Sequence, residues 1–83
     1  MRRPDWSRPL PQRLVIPDVM TLATLADVRE LLRHVPKERR ALDTWHHVAD
    51  ELEAAARGDV DPVQVSVALR MVLSMEQVQC RPA

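Results

Sequence analysis

The chain has 83 residues, with twelve Lys and Arg balanced by twelve Asp and Glu, one cysteine, one glycine and seven prolines. That length allows one domain, and the balanced charge gives the whole chain no nucleic-acid footprint. Cys80, the single cysteine, excludes an internal disulfide and a cysteine-rich zinc site, and the absence of Phe and Tyr requires an aliphatic core.

Residues 1–19 hold four of the seven prolines, Pro4, Pro9, Pro11 and Pro17. Each fixes φ, removes a donor and biases its predecessor toward extended geometry. The expectation is an extended, polyproline-like arm outside the helical domain. Arg2, Arg3, Arg8 and Arg13 make it basic, and Leu14-Val15-Ile16 is its one apolar patch. Pro4, Asp5 and Trp6 stand where a secretory signal needs an apolar stretch. Met20 opens the compact part, residues 20–83, and the sequence leaves open whether translation starts at Met1 or Met20.

The first predicted helix covers about 22–35, starting at Leu22 or Leu25. Thr24 followed by Asp27 has the spacing of a capping box. Leu25, Val28, Leu32 and Val35 recur at helical spacing, with charged residues opposite, and Pro36 stops the pattern. Lys37 to Leu42 reads as a short basic turn. The second helix covers about 44–57. Asp43 or Thr44 caps it, and Gly58 ends it in the left-handed conformation. Trp45, Val48, Ala49, Leu52 and Ala56 form its apolar stripe, with Trp45 a core anchor. Residues 41–61 hold six acids against Arg57, so this helix is acidic.

The third helix covers about 62–76, with Asp61 at N-cap and Pro62 at N1. Val63 to Val67 alternates like a strand, but the Asp-Pro start and the continuous length decide for helix. Its polar residues Ser66, Arg70 and Ser74, with Gln77 beyond, share a strip about 80° wide, the expected wet side. The rest is almost wholly apolar and needs cover on several sides. Residues 78–83 read as an extended tail, and Val78 and Cys80 can pair with Leu14 and Ile16 in a minor two-stranded ribbon. The expected fold is therefore all-α: a compact three-helix bundle with a Pro-rich arm and a short tail.

Several groups invite a chemical reading. His46 with Asp50 and His47 with Glu51 pair imidazole and carboxylate at i, i+4, the spacing of a divalent-metal site, although a solvated polar face explains the same pattern. Ser66, Ser74 and Cys80 lack a base in local reach, and one glycine cannot build a phosphate loop. No catalytic residue, cofactor or metal is expected. Trp6, Leu10, Leu14 and Ile16 in the arm, with Val63, Val67, Met71 and Met75 on the third helix, are the candidate protein interface. An exposed apolar patch with adaptable methionines marks a contact surface.

The sequence thus points to a small non-catalytic protein that binds another protein, as an adaptor, inhibitor or regulatory subunit. The basic arm and acidic second helix also favour self-association as a homodimer. The alternative is a DNA-binding regulator using Arg2, Arg3, Arg8, Arg13, Arg33, Lys37, Arg39 and Arg40. Third is a helical metal-binding protein. One free thiol suits a reducing compartment, and no apolar run exceeds three residues, so the expected location is the cytoplasm without membrane association.

Overall fold

The computed structural model describes residues 3–17 and 19–82. It corrects the all-α expectation. Two strands open the chain, β1 (Pro9–Ile16) and β2 (Met20–Thr24). Four helices follow, α1 (Leu25–His34), α2 (Lys37–Arg40), α3 (Asp43–Arg57) and α4 (Pro62–Met75), and then a two-residue strand, β3 (Arg81–Pro82). The strands form one antiparallel sheet in the order β2-β1-β3. The arm is thus the central strand of the domain.

The prolines do not prevent this, because of where they fall. Pro9 is the first residue of β1, and the register shifts between Pro9 and Leu14, so Pro11 lies in the irregular stretch. A proline is tolerated at a strand start or a bulge, where its missing N–H costs no ladder bond. Pro17 lies beyond the strand, and the Val19 N–H closes the hairpin on the Ile16 carbonyl at 3.0 Å. Leu14 and Ile16 alternate with Arg13 and Val15, and Leu14 stands opposite Leu22 of β2. All three leucine and isoleucine side chains are buried. Of the two expected starts of the first helix, Leu22 lies in β2, and α1 begins at the other, Leu25.

That start is set by Thr24. Its hydroxyl accepts from the Asp27 N–H at 3.4 Å, and the Asp27 carboxylate accepts from the N–H groups of Ala23 and Thr24. The capping box therefore ends β2 and starts α1 in one step. Asp61 caps α4 as expected, accepting from the Val63 N–H at 2.9 Å with Pro62 in the first turn. The cap expected at Asp43 or Thr44 differs. Leu42 occupies the N-cap position without a side-chain bond, and Asp43 lies in the first turn, where its charge favours the positive helix end. The basic turn is a single helical turn, α2.

Two helices end alike. After α3, Gly58 is left-handed (φ 87°), and the N–H groups of Gly58 and Asp59 bond the Ala55 and Ala54 carbonyls. After α4, Gln77 is left-handed (φ 60°), and the N–H groups of Gln77 and Val78 bond the Ser74 and Leu73 carbonyls. Both are Schellman closures. The tail then returns to β1, with Pro82 opposite Leu14 and Arg81 opposite Val15. The expected partners Val78 and Cys80 are not the paired ones. Val78 is spent on the helix closure, which shifts the register.

Sheet and helices enclose one aliphatic core. Leu10, Leu14, Ile16 and Leu22 come from the sheet, and Leu25, Val28 and Leu31 from α1. Trp45, Val48 and Leu52 come from α3, and Val65, Leu69 and Val72 from α4.

Candidate interaction surface

The surface begins with the helical wheel of α4. Pro62, Val65, Ser66, Ala68, Leu69, Val72 and Leu73 are buried, and they occupy one continuous arc. Val63, Gln64, Val67, Arg70, Met71, Ser74 and Met75 face outward over the remaining arc, about 140° wide at 100° per residue. Val63 is 39% exposed, Val67 50%, Met71 62% and Met75 67%. They follow at i, i+4, i+8 and i+12, so they form one ridge along the outside of the helix.

The wet strip is therefore displaced from its expected position. Ser66 is only 7% exposed, at the margin of the buried arc beside Leu73. Arg70, Ser74 and Gln77 remain outside. The sheet accounts for the shift. α4 packs against α3 on one side and β1 on the other, so the sheet takes the place of a second neighbouring helix.

The arm residues grouped with this surface lie elsewhere. Leu10, Leu14 and Ile16 are buried in the chain's own core. Trp6 is half-buried against that core, with the Arg29 guanidinium 4.5 Å from its ring centre, a cation–π contact. The Trp6 and Arg8 carbonyls accept from the Ala26 and Leu25 N–H groups at 2.8 and 3.0 Å, satisfying two donors that the first turn of α1 leaves free. These four side chains act inside the fold.

The basic residues also separate. Arg2 lies outside the described residues. Arg8 is half-buried and donates to the carbonyls of Ala55 and Val60 at the end of α3. Arg39 donates to the Glu76 carboxylate. Arg33 pairs with Glu30 at 3.6 Å on the surface. Lys37 and Arg40 are exposed together on α2, while Arg13 is exposed on β1 and Arg3 ahead of it. Of the eight candidates for phosphate contact, two are thus committed to internal bonds.

His46, His47 and Asp50 are exposed on α3, and Glu51 is half-buried. Among the described residues, no group of three His, Cys, Asp or Glu side chains converges as a metal site. On the helix, His46 and His47 point about 100° apart.

A cleft of about 400 Å³ lies on another side. Ile16, Leu31, Val35, Trp45 and Leu73 line it, with Val19 and Val78 at its rim. At one edge Glu76 accepts from Arg39 and, at 3.2 Å, from Trp45 Nε1. Those two bonds hold the Glu76 carboxyl below its ordinary value of 4.5, Arg39 contributing most. The sequence gives no sign of this trio, because residues 39, 45 and 76 meet only in the fold.

A smaller cleft, about 270 Å³, borders the α4 ridge. Asp43, Thr44 and His47 of α3 face Met71 and Met75 across it. The ridge therefore has Asp43, Thr44 and His47 of α3 on one flank and, on its other side, Arg70. No helix of the described residues is long and apolar enough to cross a membrane. Comparison with known proteins adds no assignment: no protein-family model matches the chain, nor does any curated protein or solved structure.

Proposed function

We propose that this is a non-catalytic binding protein that acts through protein–protein contact, with the outer face of α4 as its docking surface. The observation that carries the reading is the ridge Val63, Val67, Met71 and Met75, 39% to 67% exposed, with Arg70 the one charge on that arc. A monomer gains nothing from wetting four large apolar side chains in a row, and such patches mark interaction sites. Methionines at one end let the surface adapt to its partner. DNA binding is the weaker reading, because Arg8 and Arg39 are engaged internally and α3 presents acids that repel phosphate.

The test is affinity purification from the native host with the full chain and with Val67→Glu/Met71→Glu. Both positions are exposed, so the variant keeps the fold. A protein partner retained by the natural chain and lost by the variant supports the reading. Equal recovery by both, or salt-sensitive nucleic acid in place of protein, sinks it.

A further inference from the structure

The docking surface has flanks of opposite sign, and that restricts what can cover it. On the wheel of α4, Arg70 lies to one side of the ridge, and Met71 and Met75 lie toward α3. Across the small cleft stand Asp43 and His47. Glu51 follows His47 one turn later on the same edge of α3, by i, i+4 spacing. Since the start of α3 lies against the end of α4, the helices run antiparallel and Glu51 falls level with the turn carrying Val67.

A second copy can meet this face in two symmetric ways. If the two-fold axis runs across the helices, the α4 segments are antiparallel and like flanks coincide. Arg70 then meets Arg70, and the acidic edge meets itself, which is unfavourable. If the axis runs along the helices, the α4 segments are parallel and the flanks exchange. Arg70 of each copy then lies within a turn of Glu51 of the other, about 4.5 Å along the axis and within reach of its long side chain, twice per dimer, as an isologous interface requires. The ridge residues, four apart, interdigitate at the centre, in the packing class that crosses near −50°.

Resting on the binding reading above, we propose that the occupant of the α4 face is a second copy of this chain. The two copies pair as parallel helices, with Arg70 of each against the Glu51 edge of the other. The apolar ridge supplies the attraction, and the charged flanks select the orientation.

Sedimentation equilibrium of the full chain across a concentration series tests this, with circular dichroism to verify that each variant is folded. The natural chain sediments as a dimer at high concentration. Arg70→Glu and Glu51→Arg each weaken dimerisation at least about tenfold, and the double exchange restores it to within a few-fold, because opposite charges again face each other. A chain that stays monomeric overturns the proposal, and so does a dimer indifferent to both reversals or not rescued by the exchange. If the chain is monomeric yet captures a host protein that Val67→Glu/Met71→Glu loses, the second copy is wrong and the binding reading stands.

Discussion

Gln77 holds the left-handed position that closes α4, with φ 60°. The same position after α3 is occupied by glycine. A side chain there crowds the following carbonyl, at a cost of roughly 1–2 kcal/mol, part of which glycine loses again as backbone entropy. Gln77→Gly should therefore stabilise the chain by roughly 0.5–1 kcal/mol, read as a rise of several degrees in a thermal melt. Gly58→Ala should do the reverse. A Cβ at Gly58 meets nothing within 4 Å, so any loss comes from backbone strain and not from a clash. Glu76, one residue earlier, links stability to pH. Its pKa is lower in the fold than in the unfolded chain, because Arg39 and Trp45 bond its charged form. The unfolded chain therefore takes up its proton first as pH falls. The stabilisation is complete above the ordinary value of 4.5 and fades below it, as pH falls through the folded value. Denaturant titrations of the natural chain and Glu76→Gln should differ by a constant amount near neutral pH and converge in acid.

At the scale of elements, the arm is tied to both ends of the helical layer. Its backbone satisfies the first turn of α1, and the Asp5 N–H bonds the Ala56 carbonyl at 2.7 Å. Arg8 adds a charged donor to the last carbonyls of α3, where the helix dipole also favours a cation. Truncating Arg8 removes a charge-assisted bond from partly buried carbonyls. Arg8→Ala should cost about 1–3 kcal/mol by denaturant titration. Arg13→Ala, on the exposed side of β1, should fall within about 0.5 kcal/mol of the natural chain. A solvated arm predicts no difference between them.

For the whole molecule, the central strand of the sheet lies in residues that the prolines mark as an arm. Without β1 the sheet loses its middle, and the core loses Leu10, Leu14 and Ile16. Large-to-small changes at single buried leucines cost about 2–5 kcal/mol, and whole domains are stable by only about 5–15. A chain started at Met20 should therefore fail to fold, with no cooperative thermal transition by circular dichroism. The full chain should show one. A cooperative melt from the shortened chain contradicts this account of the core.

What the sequence determined by itself is local. Thr24 with Asp27, Asp61 with Pro62, and Gly58 fix helix ends through bonds and dihedrals within a few residues, so their spacing is sufficient. Most of the buried stripe of α3, with Ala55 buried in place of the half-buried Ala49, and the surplus apolar surface of α4 also follow from periodicity within one element. The tertiary structure alone decided which parts pair. Pro9 and Pro11 discourage a strand on average, yet β1 forms because Leu14 and Ile16 find α4 beneath them and Leu22 opposite. That burial is long-range, and it outweighs a propensity of about 1 kcal/mol or less per residue. The same packing drew Ser66 inward, left Val63, Val67, Met71 and Met75 outside, and brought Arg39, Trp45 and Glu76 together. Each of these depends on neighbours distant in sequence, which no local pattern specifies.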